Sequence, residues 1–414
     1  MADLYPLAIY GANAGDHAVG TLAKEAGVAC SAGTITFTVG SAHTLQPLTT
    51  SGITSPGFND AYMMLQCTLG KDSATPGADH TAFTKQGTVA KIVHTTAGTW
   101  QFYVGGVLMY THTPSGTHHV YFIFGKDGGW DATVARSWIV GDTVRCVVLI
   151  DKVQKFNGTA TATEAATNLH NGAPSFGQST TVSGGGTFTV SGIVYGQTTI
   201  TAPVGKLTVA EWAMVANSGS GGDSGGVPYT GYDSGQKSSG TDAKALVDER
   251  PPNGSGTTDS DYVNLINNGT NLKQLVALTD TLLSAGDVLW AYHLYIWDRA
   301  SGAAKTNSTY ALHHDGTNVI QDALAILSSP TSYDYHGPGG SQPNIRINAP
   351  DSNPLTGKAN AYLDGIQVGM EMNTGSTANA VLVFDMCLVE IAKVASGDGV
   401  TITSVLGRSQ AWMM

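Results

Sequence analysis

The feature that most limits how this chain can fold is the run TVAKIVHTTAGTWQFYVGGVLMYTH, residues 88–112. In it, stretches of five or six residues rich in Val, Ile, Tyr and Phe alternate with turn residues. Stretches this short are strand-sized and fit a pleated, half-buried surface. The TTAG stretch and the Gly105–Gly106 dipeptide between them supply hairpin turns. The pattern recurs in AYMMLQCTLG (61–70), THHVYFIFG (117–125) and GDTVRCVVLIDKVQKF (141–156), each bounded by Gly, Asp or Thr. Punctuation this regular predicts a β-sandwich and not strands alternating with helices. Helix is expected only near residues 22–26 and 323–328.

Composition agrees. Charged residues make up 12% of the chain, about half the usual share, and Gly fills 52 positions. A chain so poor in Lys, Glu and Arg has little with which to cover a helix surface. With 414 residues, two domains of roughly 150–200 residues each are expected. The expected fold is all-β, two β-sandwich domains of jelly-roll or lectin-like type joined by a Gly/Ser-rich linker. The first spans 1–216, with a projecting hairpin near 177–205 read from the Thr/Ser alternation of GQSTTVSGGGTFTVSGIVYGQTTITAPVG. The linker covers 217–244, the second sandwich 245–396 and a tail 397–414. Tyr229 and Tyr232 in the linker suggest that part of it lies against a surface. KLTVAEWAMVA (206–216) reads as the closing strand of the first half and AVLVFDMCLVEIAKV (380–394) as that of the second.

The net charge of −11 and the lack of any Lys/Arg run argue against nucleic acid or an anionic membrane as partner. MADLYPLAIYGANAG lacks the basic start and apolar core of a secretory signal. No apolar stretch approaches the ~20 residues of a spanning helix. A soluble protein made without export is the expectation. Cys30, Cys67, Cys146 and Cys387 are far apart, and three lie in apolar strand candidates. They read as buried thiols and not as a disulfide framework.

Four groups of residues invite a chemical reading. GDSGGVP (222–228) nearly matches the nucleophile loop of trypsin-like proteases, which would make Ser224 the nucleophile. No upstream His sits in the setting that family requires, and the flanks are Ser/Gly linker, so Ser224 reads as a linker serine. His118–His119 and His313–His314 are adjacent pairs near strand ends. Neighbours in a strand point to opposite faces, so neither pair chelates alone, and both read as surface or strand-end histidines with no metal and no cofactor. Glu211, Asp385 and Glu390 are the candidate carboxylates. The odd spacing of Asp385 and Glu390 puts them on opposite strand faces, where general acid–base work on one cleft is excluded. Aromatic planes for a sugar could come from Trp100, Trp130, Trp138 and Tyr103, or from Trp290, Tyr292, Tyr295 and Trp297. Within WAYHLYIW, Trp290, Tyr292 and Leu294 fall on one face and His293, Tyr295 and Trp297 on the other. One of those faces is core, and the other is a glycan or subunit contact.

The stretch ALVDERPPNGSGTTDSDYVNLINNGTNLKQLVAL resembles the opening segment of β-sandwich (jelly-roll or concanavalin-like) virion structural proteins of tailed bacteriophages. That segment runs Val-Asp-Glu-x-Pro-Pro-Asp-Gly, an Asp/Thr cluster, then Tyr-Val. DRASGAAK and NPLTGKANAYLDGIQVGMEM resemble later parts of the same family, and the likeness covers about 245–394. Asn253 stands where the family has Asp, and Ala359 or Ala361 where it has Trp. WQFYVGGVLMY and LTVAEWAM in the first half resemble strands of laminin-G or concanavalin-type sandwiches. The resemblance implies a non-enzymatic virion component, assembled in the host cytoplasm. It would be an exterior decoration or cement subunit, or a tail-associated one. Its partners would be other virion proteins and copies of itself in a homo-oligomer. The alternative it leaves open is a receptor-binding module of a tail fibre or spike, with host surface glycan as partner. Ser224→Ala is expected to leave hydrolysis of an ester and peptide substrate panel unchanged.

Overall fold

The computed structural model describes residues 4–10, 23–31, 33–46, 62–71, 76–85, 89–128, 137–167, 169, 174–178, 182, 185–198, 207–211, 228–239, 242–247, 262–268, 272–278, 288–301, 309–317, 319–323, 334–336, 346–348, 365–372 and 381–394. Among these residues the chain is all-β, its strands paired antiparallel in four sheets.

Two of those sheets enclose the main core. One carries, in order, Val153–Thr161, Thr143–Ile150, His118–Lys126, Tyr62–Leu69, Thr187–Thr198, Thr34–Thr38 and Val28–Ser31, with Leu4–Tyr10 also paired to Thr187–Thr198. The facing sheet runs Val107–His112, Trp100–Val104, Ala90–His94, His80–Lys85, Ser175–Phe176, Leu45–Gln46 and Ala23–Lys24. Three middle strands of the first sheet, Tyr62–Leu69, His118–Lys126 and Thr143–Ile150, are nearly continuous apolar runs because both faces are covered there. Leu65, Phe122 and Val148 stand opposite one another in three adjacent strands and belong to the core between the sheets. Shifted by one residue, Met64, Ile123 and Val147 form a second row on the other face, with Tyr121, Leu149 and Val194. Val209, from the strand Leu207–Glu211, packs against that second cluster. Each such side chain buried from water contributes about 1.5–3 kcal/mol.

The remaining sheets belong to the second half. One contains Gln236–Lys237, Val263–Ile266, Val381–Val394, Val288–Ser301 and Asp334–His336, with Leu207–Glu211 and Arg346–Asn348 paired at its sides. The other runs Lys273–Ala277, Gln367–Met372, Thr309–His314 and Val319–Ala323. Buried Leu275, Leu312, Val368 and Met370 line this four-stranded sheet.

Three expectations are corrected and one is refined. The described part of the segment 177–205 is not a projecting hairpin. Thr187–Thr198 is a central strand, paired with Tyr62–Leu69 on one side and Thr34–Thr38 on the other. Its Thr/Ser positions alternate with Phe188 and Val190, which are buried, so alternation here marks a half-polar interior strand. Leu207–Glu211 does not close the first half. It pairs with the far end of Val381–Val394. Within the stretch read as a linker, 228–239 is packed, in line with the expectation that Tyr229 and Tyr232 lie against a surface. The Tyr229 hydroxyl donates to the Gly365 carbonyl at 2.6 Å, and its ring stacks on His314 at 4.2 Å. Ser234 Oγ accepts the Leu272 and Lys273 N–H groups at 3.1 and 3.0 Å. The helix expected near 22–26 is instead the short strand Ala23–Lys24, paired with Leu45–Gln46.

The Gly105–Gly106 turn is as read, a two-residue hairpin loop with φ of 59° and 78°. A Cβ at Gly105 would press on Ala162 and Val144, whereas one at Gly98, also at positive φ, meets nothing. Gly105→Ala is therefore expected to cost roughly 2–3 kcal/mol and Gly98→Ala about 1 kcal/mol. Urea midpoints at unchanged m-value check this.

Candidate functional site

The densest gathering of titratable side chains among the described residues is a layer of imidazoles at one end of the N-terminal sandwich. Strand period and register build it. In Ala90–His94 and Trp100–Val104 every second residue faces the core, which turns His94 and Trp100 inward along with Ile92 and Phe102. His80 pairs directly with His94, His94 with Trp100, and Trp100 with His112. One cross-strand row therefore reads His80, His94, Trp100, His112. The His80 and His94 rings lie 5.0 Å apart, and His94 stacks on Trp100 at 5.7 Å.

Both ends of the row are extended. At the inner end His43, fully buried, meets His80 edge-on at 6.0 Å. Its Nδ1–H donates to the Ser41 carbonyl at 2.6 Å, which fixes the tautomer. Gly177 at φ 74° makes room for this loop, since a Cβ there would run into the His43 carbonyl. From the opposite sheet Phe188 covers His43, His80 and His94 at 6.2, 5.4 and 5.1 Å, and is itself stacked on Phe37. At the outer end His118 reaches across from the opposite sheet to Trp100 and His112, at 5.8 and 5.4 Å.

His118 is the solvent end of the layer. Its Nδ1 meets Asp151 Oδ2 at 2.6 Å, while its Nε2 accepts the Ser115 N–H at 3.2 Å. Asp151 Oδ1 also accepts the His119 N–H at 2.9 Å. Burial would raise the Asp151 carboxyl, but the hydrogen bonds from His118 and His119 outweigh it and hold the group below the usual range. Asp151 and Lys152 form the turn between Thr143–Ile150 and Val153–Thr161, with φ of 49° and 68°. Left-handed backbone is uncommon outside Gly, and a lysine there is strained. The strain aims one carboxylate at both the His118 ring and the neighbouring backbone N–H. At His112, burial first, then His118 and Lys155, lower the pKa, while Asp151 raises it. Two imidazolium charges as far apart as the His112 and His118 rings would repel by roughly 3 kcal/mol at an effective dielectric of ~20.

Among the described residues no three His, Cys, Asp or Glu side chains converge where a metal ion would sit. Lys85 lies in the same core, its amine lowered to about 7 by burial, with Nζ 5.4 Å from the centre of the Tyr195 ring. Cys67 and Cys146 are buried thiols. Burial pushes Cys67 up to about 12 and raises Cys146 as well.

The residues singled out from sequence are distributed differently. Trp100 and Trp138 are buried and present no plane to a sugar. Trp138 Nε1 donates to the Glu164 carbonyl at 2.8 Å. Tyr103 is half-exposed, with Lys91 Nζ 4.7 Å over its ring. Trp130 and Ser224 lie outside the described residues. Trp290, Tyr292, Tyr295 and Trp297 fall within Val288–Ser301, but their side chains are outside the description. Tyr292 shares strand parity with buried Leu294 and Ile296, and Tyr295 and Trp297 have the opposite parity. Trp290 sits at a register shift.

His119, His313 and His314 are buried, contrary to the surface reading. Glu211 stands directly opposite Glu390, and Glu390 opposite His293, so these three positions share one face of their sheet. That juxtaposition joins strands distant in sequence and has no local signal. Asp385 falls in the register shift next to Phe384. The imidazole row was also missed, although each member of the row begins or ends a hairpin strand, which is the signal that could have found it.

No protein-family model matches the chain, and no curated protein is similar to it. Among solved structures, the functional form of the mosquito-larvicidal Cry4Aa toxin from Bacillus thuringiensis is 9% identical with a TM-score of 0.19. The match covers 83% of this chain and 54% of the toxin, so the chain spans about half of that structure, and a likeness this loose carries no argument.

Burial lowers His313 to about 4, with Asp315 raising and His314 lowering it further. The unfolded chain then binds more protons below about pH 6.5, so stability is full above that pH and falls until about pH 4. The loss amounts to about 3 kcal/mol from this one group. Denaturation curves at pH 7 and pH 4.5 should show a smaller difference for His313→Gln than for the unchanged chain.

Proposed function

We propose that the chain is a non-enzymatic structural subunit of a tailed-bacteriophage virion, an exterior decoration or cement protein or a tail-associated one, working through contacts between subunits. The observation that carries this reading is the apolar surface along the closing side of the N-terminal sandwich. Val107–His112 and Val153–Thr161 are the edge strands there, joined across the two sheets by Tyr110 stacking on Phe156 at 5.9 Å. On or beside them Leu108 is 45% exposed, Ile139 70%, Val140 61% and Val153 54%. Ile139 and Val140 are held out by a turn that Asp142 ties down, its carboxylate accepting the Ile139 N–H at 3.0 Å. Leu108, Ile139 and Val140 lie toward the Ala162 end of this border and Val153 at its other end, and exposed large aliphatic residues along one border mark a contact surface.

The same border discourages open-ended stacking. Both edge strands carry a register shift, at Leu108/Tyr110 and opposite Val148/Leu149, and a bulged edge is a poor template for another strand. Contact by side-chain burial, closed by symmetry, is what such a border favours. The occupant is a second copy of the chain in a homo-oligomer. The resemblance of residues 245–394 to phage β-sandwich proteins supplies the setting. Burial of Trp100 and Trp138 weighs against the glycan-binding alternative in the first half.

Sedimentation of the full chain and of Ile139→Asp/Val140→Asp tests the contact. Self-association weakened tenfold or more, with an unchanged circular dichroism spectrum, is the expected result. Gold-antibody labelling of purified particles tests the setting. Label over the head supports decoration, label at the tail tip turns the reading toward receptor binding, and unlabelled particles overturn it.

A further inference from the structure

Register brings two carboxylates and an imidazole from three distant strands into one row, apart from the border proposed for subunit contact. We propose that Glu211, Glu390 and His293 form a binding site for one divalent metal ion of the Mn²⁺ or Zn²⁺ type, which fastens Leu207–Glu211 to the second half of the chain.

Glu211 stands opposite Glu390, Glu390 opposite His293, and His293 opposite Arg346. No register shift falls between Ala291 and Trp297 or within Leu207–Glu211, so the row keeps to one face of the sheet. Side chains at these positions lie outside the description, and register alone places them. Directly opposed positions in an antiparallel ladder have Cβ atoms about 4.5–5.5 Å apart. Glu390 is therefore central, with one candidate ligand a strand away on each side. Next to Glu390 and His293 on the same face come Ala392 and Ala291, small residues that leave space beside the row.

Like charges directly opposed across a ladder are destabilising. The same-face positions that the pairing places around Glu211 and Glu390 are Val209, Ala392, Leu388, Ala291 and Tyr295, none of them cationic. Lys393 has the opposite parity to Glu390, and Arg346 is two strands away from it, beyond His293. Val209 shares the face of Glu211 and packs against the apolar cluster of Met64, Tyr121 and Ile123, so this face turns toward the N-terminal sandwich. Beside apolar surface, two neighbouring carboxylates ionise together only when a counter-charge joins them. One divalent ion balances both charges, and a neutral imidazole completes three protein ligands. A mixed carboxylate–imidazole set suits Mn²⁺ or Zn²⁺, whereas Ca²⁺ and Mg²⁺ take oxygen ligands. The ion ties the last residue of Leu207–Glu211 to both long strands of the second half, Val381–Val394 and Val288–Ser301.

Calorimetric titration of the full chain, stripped with a chelator and then given Mn²⁺, Zn²⁺ or Ca²⁺ near neutral pH, tests this. Mn²⁺ or Zn²⁺ is expected to bind, with Ca²⁺ weaker by about tenfold or more. Glu211→Gln and His293→Gln should each weaken that binding by about tenfold or more, while Asp151→Asn, at the imidazole layer, leaves it unchanged. Hydrogen exchange should show peptides covering 207–211 and 388–394 gaining protection when the ion is added. The proposal is overturned if neither Mn²⁺ nor Zn²⁺ binds, if Ca²⁺ binds as tightly, or if folded Glu211→Gln and His293→Gln chains bind as before. Should both variants fail to fold, pulsed electron paramagnetic resonance of the unchanged chain loaded with Mn²⁺ decides. Coupling to an imidazole nitrogen together with the gain of protection at 207–211 supports the site, and the absence of either overturns it.

Discussion

Burial of one sheet on both of its faces organises the rest of the molecule. Tyr62–Leu69, His118–Lys126 and Thr143–Ile150 send alternate residues into two apolar clusters, Leu65, Phe122 and Val148 to one and Met64, Ile123 and Val147 to the other. A sheet solvated on one face would need a polar residue at every second position. Here that alternation is missing from the middle strands, so a partner must lie on each side. The facing sheet is one partner, and Val209 comes from the other side. A strand that follows the first half in sequence is drawn away to pair with Val381–Val394, and the second half is tied to the first through it.

The sandwich handles its ends and edges differently from its middle. At the border of the two edge strands, apolar side chains are left in water and the ladder is broken by bulges, a combination suited to side-chain contact with another copy. At the end that carries His80, His94 and His112, aromatic volume is supplied by imidazoles in place of Phe or Leu. An imidazole packs as a flat, half-apolar ring when neutral, a shape suited to the place among Phe37, Phe188 and Trp100. It differs from a phenyl ring in that a proton can reverse the preference. The strained Asp151–Lys152 turn sits at the point where the layer meets solvent, and its carboxylate accounts for one charge among several histidines.

Much of the fold was legible locally. Runs such as AKIVH and WQFYV, separated by TTAG and Gly105–Gly106, specified strands and hairpins because side-chain alternation and positive-φ turns are local properties. The Asp151–Lys152 turn was not legible, since DK carries no turn signal comparable to Asn-Gly and the flanking residues read as one strand. Thr187–Thr198 was misread as projecting because Thr and Ser alternation looks the same on an exposed hairpin and in a strand with one polar face. His119, His313 and His314 were misread because a strand-end position does not say which face is inside, and the same ambiguity holds for His94, which the sequence did not single out. For His94 that was decided by Phe188, which lies on a strand paired with Thr34–Thr38 in the other sheet.

By itself, the sequence determined that the chain is built of short antiparallel strands, that its cysteines are too scattered to form a framework of bridges, and that strong positive charge has no part in it. Tertiary structure decided which residues meet. His80 finds His94 through a hairpin, but His118 finds His112 only when two sheets close on each other, and Glu211 finds Glu390 only across two distant strands. The physical reason is range. Propensity, turn chemistry and period act over a few residues, whereas a site of several ionisable groups is defined by register between strands and by what the opposite sheet places over them.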